Sequence, residues 1–516
     1  MGTRLRSDRA LEQEPGTAGG SPRIRWLSAG LVLVSACVLG ACVLLAAAHV
    51  DDRYKLDHVS GARIALAQYV NGGTLYPELD DGRLYGGTRF MPLPVLLHAA
   101  AAKLTGEYLV SGKLLGYAAA AALLGLVYVL LRGMRCPLPI AVALVATIVA
   151  TRTGLAAAMD LRADILPLLL QVLAVAVVAR ARGPTPTIAA AALAATALFC
   201  KLNAVWAPLA IVVWLLATDR RRLGWFAAAY GALAVALLVL FVAVSDGRIL
   251  ENVFGLSTAG VQGIGSVVRA PYLLVRLLVE QATGAWVLLP AVAVAGWLAF
   301  RERRPTIWLV SLLCCLGVLL VVLSDVGTGW NQLIDPVVLT VLVVGELAGR
   351  RWPDPVTAAA PAVIAIVLLW VNLGGLAVTI VPDLRPALAD LRGAPRYSPE
   401  PLAGRATAAT PLLSEDPYVP VSLGQRPVVL DPFMLLRIGR RDPAATQRLV
   451  DRIRAKEFEL VVLVVPLQPV DQQWWSEVHF GRDVAQALAD SYEPAGTVEG
   501  YLLYRPAPMP RSGEAG

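Results

Sequence analysis

The sequence predicts a polytopic α-helical membrane protein of about eleven spans with a C-terminal extracytoplasmic α/β domain. Three observations carry the prediction. First, the 516-residue chain is 57% hydrophobic and only 16% charged, against about 25% charged in an ordinary soluble domain. Second, residues 382–516 hold 32 charged side chains in 135 residues while the preceding 381 hold 51, about 24% against about 13%, so only the tail has a soluble composition. Third, Lys and Arg recur in every second loop between apolar segments, which is the pattern of cytoplasmic loops. These features exclude a soluble globular enzyme, a disordered chain and a nucleic-acid binder acting through a basic surface. The net charge of +7 lies mainly in the loops that set orientation.

Residues 1–25 read as a cytoplasmic tail carrying Arg4, Arg6, Arg9, Arg23 and Arg25. A spanning helix needs about 20 mainly apolar residues. Segments 26–49, 109–131, 138–154, 163–180, 187–200, 202–218, 224–244, 283–300, 306–323, 330–349 and 356–380 meet or approach that length, with 187–200 and 202–218 short and closely abutted. With the N-terminus cytoplasmic, the inner loops are Arg132/Arg135, Arg180/Arg182, Arg220-Arg221-Arg222, Arg301/Arg303/Arg304 and Arg350/Arg351, whereas 324–329 has no basic residue. An odd number of spans then places everything beyond residue 381 outside a multi-pass inner (plasma) membrane. Cys37, Cys42, Cys136, Cys200, Cys314 and Cys315 lie in or beside apolar segments without metal-type spacing. Val34-Ser35-Ala36-Cys37 faintly resembles a lipoprotein cleavage box, but Cys37 sits inside a span.

The outer loop 50–108 is long and rich in both signs of charge, including Asp51, Asp52, Arg53, Lys55, Asp57, His58, Arg63, Glu78, Asp80, Asp81, Arg83 and Arg89. Its apolar piece 91–104, opened by Pro92 and Pro94, reads as a helix in the outer interface. Further polar residues recur at outer span ends: Thr151-Arg152-Thr153, Asp160-Leu161-Arg162-Ala163-Asp164, Lys201-Leu202-Asn203, the stretch 324–332, and Asp335-Pro336. Singly each has a structural explanation; Arg162 can snorkel to headgroups and Asp164 can cap a helix. Converging at one membrane face with the charged loop, they read as a functional site. Carboxylates there can deprotonate an acceptor hydroxyl, and Arg and Lys at headgroup depth can hold a lipid phosphate. A Walker-type loop and a strand–GxGxxG–helix unit are absent from the sequence.

These residues, in this order, resemble the GT-C glycosyltransferases, integral-membrane enzymes that use polyprenyl-phosphate sugars and include protein mannosyltransferases and aminoarabinose transferases. The matching elements are Asp57-His58-Val59-Ser60, Gly72-Gly73-Thr74-Leu75-Tyr76-Pro77, Gly86-Gly87-Thr88-Arg89-Phe90-Met91-Pro92-Leu93-Pro94, Arg162-x-Asp164, Lys201 and Gly329-Trp330-Asn331-Gln332-Leu333, across residues 25–350. His58 stands where the family often has Glu. The resemblance implies sugar transfer from a polyprenyl-phosphate donor to an extracytoplasmic lipid, glycan or protein acceptor. Asp57 would be the general base, with Asp52 and Asp51 as rivals. Arg89, Arg162 and Lys201 would face the phosphate, with Asp164, Asn331 and Tyr76 as further substrate-binding residues. His58 is open as a ligand, a second base or a structural hydrogen-bonding residue. Some relatives bind a divalent cation near the acidic loop, and the acids here permit one without demanding it.

In the tail, 382–410 reads as a linker, 411–506 as a small α/β domain and 507–516 as a disordered end. Strands are expected at 426–430, 458–465 and 500–505, and helices at 443–456 and 481–491. Ser414-Glu415-Asp416-Pro417-Tyr418 and Asp431-Pro432-Phe433 read as acidic-aromatic loops, and 474–480 as exposed aromatics; packing against the membrane body is the favoured role, over an acceptor platform. The alternative function is a transporter or lipid-carrier flippase, which should show inverted repeats and midplane charge. A non-enzymatic scaffold leaves the outer charges unexplained.

Overall fold

The computed structural model describes residues 22–508, apart from residues 163, 257–263, 282–283, 326–327, 352–358 and 391–396. Most of the expected cytoplasmic tail, nearly all of the disordered end and part of the linker lie outside the described residues.

Each of the predicted apolar segments contains a helix among the described residues. Among the described residues, six helices are long and apolar enough to cross a membrane: Arg25–Ala48, Tyr108–Gly133, Arg220–Val244, Ala285–Glu302, Trp330–Ala348 and Ala360–Ala389. A seventh candidate is a pair, Leu138–Ala150 and Arg152–Met159, bent by 75°. The helices Ile165–Arg180, Pro184–Cys200, Trp206–Thr218 and Ile307–Val322 are apolar but shorter.

The bend replaces the straight span expected over 138–154, and its cause is local. Thr151 is extended; its hydroxyl donates to Ile148 O (2.8 Å) and accepts from Gly154 N (2.9 Å), capping the second segment. A Cβ on Gly154 would overlap Ile148 O, so glycine permits the close turn. Elsewhere small residues let helices approach, as at the fully buried Ala190, Ala191 and Ala194 and at Gly375 against Ala150. Buried Asn372 donates to Ala143 O (3.1 Å) and Thr147 Oγ1 (3.2 Å).

Alternate loops meet at opposite ends of the bundle. Arg180 donates to Val129 O (3.5 Å), Arg222 to Thr187 Oγ1 (3.1 Å) and Val178 O (3.2 Å), and Arg350 pairs with Glu302, which gathers the basic loops at one end. At the other end, Ser60 meets Asp160, Thr153 meets Trp330 and Lys201 meets Gln332.

The loop 50–108 contains two helices rather than the single one expected. His58–Asn71 is begun by Asp57, whose carboxylate accepts from Val59 N (3.0 Å) and Ser60 N (3.2 Å). Residues 60–67 of this helix are all buried, so its sequence shows no apolar stripe against a polar one. Pro92–Thr105 matches the expected helix, with prolines in its first turn and Gly106 (φ 80°) closing its end on Ala102 O.

The tail folds as a four-stranded sheet of order β1-β2-β4-β3, from β1 (Leu412–Ser414), β2 (Leu460–Leu463), β3 (Tyr492–Val498) and β4 (Tyr501–Pro506). β1 and β2 are parallel; β4 is antiparallel to both β2 and β3. β2 is buried on both faces: Val461 and Leu463 pack with Trp475 and Leu488, while Leu460 and Val462 pack with Leu402 and Val419. The helices Pro443–Arg454 and Arg482–Ser491 lie where expected. Three expectations fail. Residues 426–430 form no strand but a single bridge, Val429 to Tyr85 of the first loop. Asp431 is no loop residue but the buried cap of Pro432–Arg441. Trp475 is not exposed but fully buried, and Trp474 is half-buried.

The tail domain docks directly on the first loop. Tyr85 N donates to Val428 O (2.7 Å) and Leu430 N to Tyr85 O (2.9 Å). Tyr418, Val421 and Leu430 pack with Ile64 and Tyr69, and Arg53 pairs with Glu499 (2.6 Å). Gly61 sits at the closest approach: a Cβ there would overlap Asp416 Oδ1 and lie 2.8 Å from Tyr418 N. Gly61→Ala should therefore destabilise the docked state by about 1–3 kcal/mol, the usual overpacking cost. A lowered melting temperature and faster proteolysis of the tail domain in nanodiscs would register it; unchanged values would show that the interface yields.

Candidate active site

The 75° bend sends Arg152–Met159 sideways, and the chain returns to Ile165–Arg180 through 160–164. That return places Arg162 between two carboxylates. Its Nη2 pairs with Asp57 and its Nε lies 2.8 Å from Asp160 Oδ2. The Arg162 guanidinium also stands 5.7 Å from the Trp330 ring centroid. Asp160 accepts from the Ser60 hydroxyl and is nearly excluded from solvent. Burial pushes its carboxyl up to about 7, against the lowering pull of Ser60 and Leu161 N. Asp57 is the more open acid of the pair, with 31% of its side chain exposed.

A second group adjoins the first. Lys201 Nζ donates to Asp164 Oδ1 (2.6 Å) and Gln332 Oε1 (2.9 Å). Asn331 Nδ2 donates to Asp164 Oδ2 (3.0 Å) and Asn203 Nδ2 to Gln332 Oε1 (3.0 Å). Asp164, Lys201, Asn203 and Gln332 open on a small pocket, closed on the bundle side by Trp206, Cys315 and Leu319. Trp206 Nε1 donates to Asp335 Oδ1 (2.7 Å) at its floor.

The tail domain supplies a third group. His58 Nε2 lies 3.0 Å from His479 Nε2, and His479 Nδ1 lies 2.6 Å from Glu415 Oε1. Arg89 faces the same domain, 3.4 Å from Asp431 Oδ2 with its guanidinium 4.6 Å from the Phe433 ring centroid. Burial, with His479 and Arg89 facing it, holds the His58 imidazole well below the usual histidine range.

The structure thus brings together Asp57, His58, Arg162, Asp164, Lys201 and Asn331. It sets Asp52 apart: that carboxylate is buried against His49 Nδ1 (2.5 Å), Lys113 Nζ (3.3 Å) and Tyr54 N (2.8 Å). Asp51 is exposed, and Tyr76 is buried with its hydroxyl donating to Phe90 O (2.9 Å). Among the described residues no three His, Cys, Asp or Glu side chains converge as metal ligands. Of the first-loop acids, Asp52 is taken up by Lys113 and His49, and Asp57 by Arg162. Sequence reasoning missed Glu415 and His479 as neighbours of the site; the one available signal was that His479 is among only four histidines in the chain.

No family model and no curated protein matches the chain. Its architecture is nonetheless that of solved membrane proteins. It is similar to ArnT from Cupriavidus metallidurans in the apo state, with TM-score 0.58 and 15% identity over 94% of this chain and 98% of that one. It is also similar to ArnT bound to undecaprenyl phosphate, with TM-score 0.57 and 14% identity over 92% and 97%. The archaeal oligosaccharyltransferase AglB from Archaeoglobus fulgidus, in complex with an inhibitory peptide and a dolichol-phosphate, gives TM-score 0.52 and 12% identity over 93% and 74%. The fold of this chain is thus one it shares with ArnT and AglB.

The shifted Asp160 makes a prediction with a definite sign. An unfolded Asp releases its proton near pH 4, whereas the folded chain holds it to about 7. The folded state binds the extra proton between those values, so this group's contribution to stability falls as pH rises through that window. Asp160→Asn should flatten the melting temperature against pH between about 4 and 7; a profile as steep as the parent's would assign the slope elsewhere.

Proposed function

We propose that the protein is a membrane glycosyltransferase that moves a sugar from a polyprenyl-phosphate donor to an extracytoplasmic acceptor. The observation that carries this reading is the charged cluster at one end of an apolar bundle. An open Asp57 stands beside Arg162, Lys201 and Asp164 line an adjoining pocket, and Asn331 donates to Asp164. The relatives of like fold support the donor class, since one was solved with undecaprenyl phosphate and another with a dolichol-phosphate.

In this reading the acceptor hydroxyl gives its proton to the Asp57 carboxylate as its oxygen bonds to the anomeric carbon. The bond from that carbon to the phosphate oxygen breaks, and its electron pair leaves with the phosphate. Arg162 and Lys201 offset the charge that develops there. Arg162 also pairs with Asp57 and holds it in place before substrate arrives. Arg89, turned toward the tail domain, lies on the acceptor side. The four shorter apolar helices cross the membrane with the longer ones, giving about eleven spans. The Arg-rich end faces the cytoplasm, which places the tail domain outside the inner membrane. The acceptor is a lipid, glycan or protein.

Asp57→Asn should lower transfer by about 100-fold or more, the scale of a lost general base, with the melting temperature near the parent's. Transfer is read as restoration of the missing sugar mass on envelope glycans when the variant is returned to a strain lacking the protein. Full restoration would remove Asp57 from the base role. A periplasmic-type reporter fused after Gly516 should be active, and a cytoplasmic one silent; the opposite result inverts the topology.

A further inference from the structure

Glu415 is completely buried at the contact between the tail domain and the first loop. A buried carboxylate is costly unless its oxygens are satisfied. Here both are: Oε2 accepts from Val464 N (2.7 Å), and Oε1 accepts from Trp474 Nε1 (2.7 Å). Indole and backbone N–H groups only donate, so the remaining contact, at 2.6 Å, is the His479 Nδ1–H donating to Oε1. With His479 in the neutral tautomer that this donation defines, its Nε2 accepts, and the proton in the 3.0 Å contact between the two Nε2 atoms belongs to His58. His58 is then left with a lone pair on Nδ1. The depressed His58 imidazole is neutral at physiological pH, in keeping with this arrangement.

Domain docking alone does not call for such a device, because the neighbouring contact of Tyr418, Val421 and Leu430 with Ile64 and Tyr69 is apolar. The two rings stand edge to face at 78°, with centroids 4.1 Å apart, and His58 is the residue next to Asp57 at the start of the helix His58–Asn71. We propose that Glu415 and His479 are positioning residues of the transfer site. They hold His58 as its Nε2–H tautomer, so that Nδ1 accepts a hydrogen bond from a second polar hydrogen on the acceptor, beside the hydroxyl that Asp57 deprotonates. This rests on the assignment of Asp57 as the base. It makes the tail domain part of the site, and it names the acceptor class as one with neighbouring polar hydrogens, such as the vicinal diol of a sugar ring. No proton is transferred at His58: the attacking hydroxyl's proton goes to Asp57, and the neighbouring hydroxyl keeps its own.

The test uses the full chain, labelled with ¹⁵N-histidine and held in lipid nanodiscs; with four histidines in the sequence, His58→Gln assigns the His58 signals. The parent should show His58 with a protonated Nε2 and an unprotonated Nδ1. His479→Phe should turn His58 into a mixture of tautomers. The same variant should restore the missing glycan mass about tenfold more slowly than the parent, the worth of one hydrogen bond. Glu415→Gln should act in the same direction, and it keeps the test open if His479→Phe fails to fold. An unchanged His58 signature in the folded variants would overturn the relay. A changed signature with parental transfer would overturn its role in the site. Parental transfer in Asp57→Asn would sink the base assignment, while the tautomer measurement would still decide the Glu415–His479–His58 chain.

Discussion

Arg162 has to find partners at the end of an apolar bundle, and the arrangement of this whole end follows from the two carboxyl groups it finds. A guanidinium held at this depth is costly unless paired. Asp57 comes from the first loop and Asp160 from the return of chain after Arg152–Met159, so the pairing ties a separate excursion of chain to the helical body. Ser60 adds a second tie between the same elements through Asp160. The bend itself depends on Thr151 capping and on Gly154 permitting the turn. Three adjacent features of the chain thus create one charged junction, and the pocket lined by Lys201 and Asp164 opens beside it.

The tail domain completes this junction from above. Its contact with the first loop mixes an apolar patch, a backbone bridge at Tyr85 and Val429, and charged pairs such as Arg448 with Asp80. The pair of Arg448 with Asp80 has an exposed guanidinium and adds little stability, whereas the buried Glu415 and His479 are expensive to place. Expense at one point of an otherwise ordinary interface is a sign of function. The helix His58–Asn71 is held between the bundle below and this domain above, so both of its partners control where Asp57 and His58 point.

Much of this was legible in one dimension. The apolar segments, the basic loops and the proline-led helix Pro92–Thr105 follow from local composition and periodicity. So do the helices Pro443–Arg454 and Arg482–Ser491 and the strands β2 and β4. The helix His58–Asn71 was hidden because contact on every side removes the amphipathic stripe. The expected strand at 426–430 spent its hydrogen bonds on Tyr85, far away in sequence, and not on the sheet. Asp51, Asp52 and Asp57 look alike as letters; only Asp57 reaches Arg162, while Asp52 is consumed by His49 and Lys113.

By itself the sequence determined that this chain is built for a membrane, that its loops alternate in charge, and that the scarce charges of its other loops cluster in a few short stretches. Those properties are local: the cost of burying charge and the length of an apolar helix act on each segment alone. The tertiary structure decided which carboxylate faces which cation, that a glutamate and a histidine from the tail meet His58, and that the span after Leu138 bends at Thr151. Partners such as His58 and His479, 421 residues apart, are chosen by the packing of whole elements, and no window of sequence contains both.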